Sequence, residues 1–220
     1  MLVKIRRQKI GGQPYTEEFQ YAGSGKVSVS CIIDAISVEL MMSGKPRISW
    51  DCSCMEAKCG GCAMVINGKP GLACNTFIDC SEDAVLTLEP LKKFPVIEDL
   101  SVDRSAIFEH QKEAGIFLGE YKEAEAAERP YRYNAAKCLK CGLCLEICPN
   151  YKGGKTHFGP VMLHDAYLQA SASGNRTGEM KKAYKEHFAG GCSSCLACSK
   201  ICPQEISTLA SISYMVKKIK

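Results

Sequence analysis

Short apolar stretches separated by turn residues make the N-terminal part of the chain read as strands and turns. Residues 3–7 and 15–21 are candidate strands, with Gly23-Ser24-Gly25 as a turn following the second. Apolar residues at helical spacing (Ile32, Ile33, Ile36, Leu40) predict a helix over 32–42, with Asp34 in its first turn and Gly44 as its stop. Residues 63–66, then Asn67-Gly68, then 71–73 form a hairpin signal, because Asn-Gly supplies the positive φ angles of a tight turn. Residues 84–88 predict one more strand.

Beyond residue 100 the period changes to that of helices. Ile107, Ile116 and Phe117 sit among charges, and residues 162–170, 180–188 and 206–219 are helical candidates. Pro90 and Pro95 bracket Leu91-Lys-Lys-Phe94 and mark the junction. A β-rich domain followed by an α-helical one is expected.

Fifteen cysteines in 220 residues change this picture, because a chain of this length buries a core without them. The N-terminus has no apolar run bounded by a cleavage site, and no window predicts a membrane span. A reducing compartment is therefore expected, where cysteines serve metal or redox chemistry. A net charge of +4 is too mild to predict a nucleic-acid partner. The basic tail at Lys217, Lys218 and Lys220 reads as a solvated helix end rather than a membrane contact.

The cysteine spacings carry the chemistry. Cys54-x4-Cys59-x2-Cys62, with Cys74 after the hairpin, is the plant-type spacing for a [2Fe–2S] cluster. Gly60 and Gly61 let the backbone approach closely and aim N–H groups at the sulfurs. A zinc site is the competing reading, but zinc favours paired C-x2-C knuckles. Cys52 could replace Cys54 as a ligand, though its gap to Cys59 would then be six residues. Cys31 and Cys80 belong to no set and read as free thiols.

Cys138-x2-Cys141-x2-Cys144-x3-Cys148-Pro149 and Cys192-x2-Cys195-x2-Cys198-x3-Cys202-Pro203 each follow the bacterial C-x2-C-x2-C-x3-C-P pattern. Two copies imply two [4Fe–4S] clusters with exchanged fourth ligands. Cys138, Cys141, Cys144 and Cys202 are then one set, and Cys192, Cys195, Cys198 and Cys148 the other. Three clusters in one chain suit a relay for single electrons. No phosphate-binding glycine fingerprint accompanies them, and His110, His157, His164 and His187 show no ligand spacing.

A plant-type set followed by two bacterial-type runs resembles the iron–sulfur subunit of succinate dehydrogenase and fumarate reductase. The resemblance covers nearly the whole chain. It is carried by residues 50–64, by Ile66-Asn-Gly-Lys-Pro70, by Leu72-Ala-Cys74, by residues 91–100 and by Cys138-Leu-Lys-Cys-Gly-Leu-Cys144. It implies an α+β fold: an N-terminal β-grasp, plant-type [2Fe–2S] ferredoxin domain at residues 1–97 and a C-terminal α-helical, bacterial-type ferredoxin domain at residues 98–220. It also implies an FAD-bearing flavoprotein partner, a membrane anchor or other electron-donor subunit, and a cytoplasmic location peripheral to a membrane.

The usual family member lacks the middle cysteine of the third run and carries a [3Fe–4S] cluster there. This chain has Cys195, which predicts [4Fe–4S], as in thiol-dependent fumarate reductases and heterodisulfide-reductase-like enzymes. Tyr151 and Ser193 stand where the family's quinone pocket uses a tryptophan and a histidine. The leading expectation is the electron-transfer subunit of such a complex, working in the reducing direction in an anaerobe, with no substrate site of its own. A different flavoprotein, reducing another enoate or oxidising a hydroxyacid, and a free-standing polyferredoxin remain open.

Overall fold

The structure is a computed structural model and describes all residues except 82, 83, 118, 124, 154–156, 174, 176, 219 and 220. The chain divides into two compact units, Met1–Asp103 and Arg104–Lys220. The strands, all in the first unit, are β1 (Leu2–Arg7), β2 (Tyr15–Gln20), β3 (Gly25–Ser28), β4 (Ala63–Ile66), β5 (Lys69–Leu72), β6 (Phe77–Cys80), β7 (Val85–Glu89), β8 (Val96–Glu98) and β9 (Ser101–Val102). The helices are α1 (Val29–Met42) in the first unit, then α2 (Ser105–Glu113), α3 (Arg129–Ala136), α4 (Leu143–Ile147), α5 (Gly159–Ala172), α6 (Thr177–His187), α7 (Ala197–Ile201) and α8 (Thr208–Lys218).

The main sheet has the order β2-β1-β7-β4-β5. β1 pairs antiparallel with β2 and parallel with β7, so the sheet is mixed and has the β-grasp arrangement. Alternation along β1 points Val3 and Ile5 inward, and the same alternation buries Arg7. That cation is held by Asp99 Oδ1, 3.0 Å from Nε, and by Glu17 Oε2, 2.7 Å from Nη1. Asp99 also accepts the backbone N–H groups of Gln8 and Ser49, each at 2.9 Å. The carboxylate thus ties the end of β1 to the segment leading into the cysteine loop.

Helix α1 begins at Val29, three residues before the predicted start at Ile32, because the Ser28 hydroxyl accepts the Cys31 N–H at 3.3 Å and caps it. The β4–β5 hairpin turns at Asn67 (φ 47°) and Gly68 (φ 75°), as the Asn-Gly signal requires. The small β3–β6 and β8–β9 pairs were not predicted, since two to four residues are too short to show a period.

In the second unit α5 is the axis. Twelve of its fourteen residues are buried, including His164 and Asp165. Its Met162, Leu163, Ala166 and Tyr167 pack with Met180 and Tyr184 of α6, with Phe188 and with Met215 of α8. Phe158 stacks between the rings of His110 and His187, at 4.3 and 4.1 Å. Gly159 starts the helix at φ 76°, and a Cβ there would meet Leu145 Cδ2 at 2.3 Å. The predicted helix end at Ile219, and Lys220 of the basic tail, lie outside the described residues. No described helix is long and apolar enough to cross a membrane.

Candidate metal centres

The first site is a loop held open by its own backbone. Met55 and Ala57 adopt φ 56° and Gly60 φ 75°, left-handed values that turn successive N–H groups to one side. Cys54 Sγ accepts the N–H groups of Glu56, Lys58 and Cys59 at 3.4, 3.3 and 3.3 Å. These amides, Glu56 first, lower the Cys54 thiol to about 7, toward the thiolate that binds metal. Ala57 N–H reaches Cys74 Sγ at 3.3 Å, and Gly61 N–H reaches Cys59 Sγ at 3.4 Å.

The hairpin brings Cys74, in a single 3-10 turn after β5, to within 3.3 Å of Cys62 Sγ. Burial pushes the Cys62 thiol up to about 12, so a thiolate there calls for positive charge beside it. Cys52 Sγ lies 3.1 Å from Met55 Sδ, and its thiol is raised by burial and, more weakly, by the neighbouring Cys74, Cys59 and Cys54. Cys31 lies exposed in the first turn of α1, and Cys80 is buried at the end of β6.

In the second unit the two cysteine runs fold alike. Lys140 (φ 54°) and Gly142 (φ 87°) flank Cys141, and Ser194 (φ 55°) and Leu196 (φ 56°) flank Cys195 in the same left-handed conformation. A five-residue helix follows each time, α4 carrying Cys144 and α7 carrying Cys198. Each helix ends on the fourth cysteine, at φ −69°, ψ 118° for Cys148 and φ −68°, ψ 118° for Cys202. The proline that follows disfavours the helical conformation at the residue before it, which frees that thiol to turn away from its own run.

The two helices pack together, and two hollows form around them. One is lined by Cys138, Cys141, Cys144 and Cys202. The other is lined by Cys148, Cys192, Cys195 and Cys198. Cys198 lines the first hollow as well. Among the described residues no three candidate ligands close on a single metal ion. Burial raises the thiols of Cys138, Cys141 (to about 11) and Cys144, whereas the Ala197 N–H lowers the exposed Cys195.

A surrounding layer of polar groups carries no motif. Lys140 Nζ pairs with Asp165 of α5, whose other oxygen accepts from Gln111 Nε2. His164 Nδ1 and Ser211 Oγ lie 3.0 Å apart beside the first hollow. Near the second, His157 Nε2 is 3.8 Å from Cys148 Sγ and Thr208 Oγ1 is 3.3 Å from Cys198 Sγ. No spacing rule finds these residues, which lie nine or ten positions from the cysteines they face.

Comparison with known proteins agrees with this division. Residues 2–109 match the family model of a 2Fe-2S iron-sulfur cluster binding domain, and residues 134–206 that of a 4Fe-4S dicluster domain. The succinate dehydrogenase iron-sulfur subunit of Bacillus subtilis is 31% identical over 96% of this chain and 88% of its own. The fumarate reductase iron-sulfur subunit of Wolinella succinogenes is 28% identical, covering 98% of this chain and 94% of its own. One subunit of the fumarate reductase (CoM/CoB) of Methanothermobacter marburgensis is 30% identical, with 93% of this chain matching 41% of that longer protein. A chain of the Mycobacterium smegmatis Sdh1 complex in the apo form shares the fold, with a TM-score of 0.74 at 22% identity over 99% of this chain and 94% of that one. With a 2Fe-2S domain, a 4Fe-4S dicluster domain and full-length relatives of this kind, the chain belongs to the family of electron-transfer iron–sulfur subunits of succinate dehydrogenase and fumarate reductase.

Proposed function

We propose that three four-cysteine sets make this chain a relay for single electrons within an oxidoreductase complex. Cys54, Cys59, Cys62 and Cys74 hold one [2Fe–2S] cluster. Cys138, Cys141, Cys144 and Cys202 hold one [4Fe–4S] cluster, and Cys192, Cys195, Cys198 and Cys148 a second. When bound, such clusters take up and give back one electron at a time, at potentials set by their surroundings. The partner at the substrate end is an FAD-containing flavoprotein acting on fumarate or succinate. A membrane anchor or another donor subunit completes the path, with the chain peripheral to it on the cytoplasmic face.

The observation that carries this reading is the exchange of fourth cysteines between two hollows: Cys202 joins Cys138, Cys141 and Cys144 at one, and Cys148 joins Cys192, Cys195 and Cys198 at the other, with Cys198 lining both. The chain's own contribution is positional. The amides around Cys54 stabilise its thiolate before metal arrives, which favours Cys54 over the nearby Cys52 as the ligand. Cys195 supplies the ligand that lets the third centre keep a fourth iron.

Anaerobic purification with iron and sulfide analysis tests the count, with about ten irons per chain expected for one [2Fe–2S] and two [4Fe–4S] clusters. EPR of the undamaged oxidised protein should lack a strong [3Fe–4S] signal; finding one would refute the role of Cys195. Co-purification with an FAD-bearing polypeptide, assayed with fumarate and other enoates, tests the partner.

A further inference from the structure

Helix α1 and the segment that returns from it flank a groove of about 650 Å³, within the size range of small-molecule sites. The helix contributes Asp34, Val38 and Met41, spaced along one face, and the returning segment contributes Arg47, Trp50 and Met55. None of the cysteines assigned to clusters lines it.

Both walls are fixed from behind. Ile32, Ile33, Ile36 and Leu40 bury the opposite face of α1 in the core. The returning segment is pinned by the buried Arg7–Asp99 pair. Arg7 Nη2 donates to the Arg47 carbonyl at 3.3 Å, and the Ser49 N–H donates to Asp99 Oδ2 at 2.9 Å. The Leu100 N–H donates to the Ser49 carbonyl at 3.0 Å, and Ser101 Oγ donates to Asp51 Oδ2 at 2.9 Å. The groove is thus formed before anything enters it, which spares part of the ordering cost of binding.

The side chains that look into it are unused. Among the described residues Asp34 and Arg47 have no ion pair and the Trp50 indole N–H has no acceptor, while Val38, Met41 and Met55 are exposed. The two charges sit at opposite ends. The Lys45 N–H donates to the Leu40 carbonyl at 2.9 Å after the turn at Gly44, which puts Arg47 beside the C-terminal end of α1. Asp34 lies seven residues before Met41, about 10 Å nearer the helix N-terminus. A cation at one end, a carboxylate at the other and apolar surface between them match a molecule of the reverse charge pattern. Three extended peptide residues span about 10 Å.

We propose that this groove binds a short zwitterionic peptide, about three residues long, with an apolar middle side chain. Its carboxylate pairs with the Arg47 guanidinium and the Trp50 N–H, its ammonium pairs with Asp34, and its middle side chain lies against Val38 and Met41. This goes beyond the electron relay proposed above and needs none of its ligand assignments.

Isothermal titration calorimetry of the anaerobically prepared, cluster-loaded full chain provides the test. The probes are the peptide Ala-Leu-Ala, its N-acetyl derivative and its C-terminal amide, on the parent protein, Arg47→Gln and Asp34→Asn. Both side chains are exposed and unpaired, so both variants should fold, and thermal unfolding with iron analysis checks that they do. The parent should bind Ala-Leu-Ala saturably, one peptide per chain. Arg47→Gln and the amide should each weaken binding about tenfold, and the two together no further. Asp34→Asn and the acetyl group should behave in the same way at the other end. Absence of saturable binding to the parent overturns the proposal, as do losses that simply add or that couple the wrong pair. Undiminished binding of the two blocked peptides also overturns it, and would point to an internal segment of a partner chain.

Discussion

The run from Cys138 to Cys148 and the run from Cys192 to Cys202 trace nearly the same backbone in different surroundings. Helix α4 buries Leu143 and Leu145, whereas α7 has no buried residue. At matching left-handed positions the first run has Lys140, paired with a buried aspartate, and the second has an exposed Ser194. At the next left-handed position the first has Gly142 and the second Leu196. Repetition therefore fixes where thiols converge, because ligand geometry depends on backbone conformation and on proline placement. It leaves the environment free to differ, and cluster chemistry responds to environment. Two sites of one design can do unequal work.

The exchange of fourth ligands is the part of this comparison most open to breakage. Cys148→Ala should strip iron from the site of Cys192, Cys195 and Cys198 while the site of Cys138, Cys141 and Cys144 keeps its cluster. Iron analysis with EPR reads this, and loss confined to the first run's own site would mean that the ligands are not exchanged.

A smaller effect is expected from the unequal charges. Asp165→Asn leaves Lys140, whose side chain is 23% exposed, without its counter-ion and should destabilise the fold by about 3 kcal/mol. Ser194→Ala, at the matching exposed position, should stay within about 0.5 kcal/mol. Thermal unfolding of the cluster-loaded chain compares the two directly. Equal shifts would show that the ion pair adds nothing to the first run.

The smallest effects concern the left-handed residues after each middle cysteine. Gly142→Ala places a Cβ at φ 87° and should cost about 1 kcal/mol. Leu196→Gly relieves the same strain at φ 56° but gains chain entropy in the unfolded state, for a net change of about 0.5 kcal/mol or less. Denaturant titration separates the two, and the comparison fails if both substitutions destabilise equally.

Much of the fold is legible in the residues alone. The strands at β1, β2 and β7, the β4–β5 hairpin and helices α5, α6 and α8 follow from period and turn residues. Helices α4 and α7 do not, because five residues complete little more than one turn and show no amphipathic period. Capping moves the start of α1 from Ile32 to Val29, since Ser28 lies outside the apolar stripe that marks the helix. Spacing marks the four histidines as surface or core residues. Three of them, His110, His157 and His164, are indeed buried, but His157 also faces a cysteine sulfur.

The sequence alone determined the chemistry of this protein. Cysteine spacing, the glycines between cysteines and the proline after each run are local covalent facts, and thiolate sets of that spacing have few uses. Only the tertiary structure decided which groups surround each set. His157 under Gly191, Thr208 against Ser199 and Lys140 opposite Asp165 meet through helix packing, over separations that no local pattern encodes. Hydrogen bonds and burial act through space at a few ångströms, so their effect on a shared motif appears only once the chain has folded around it.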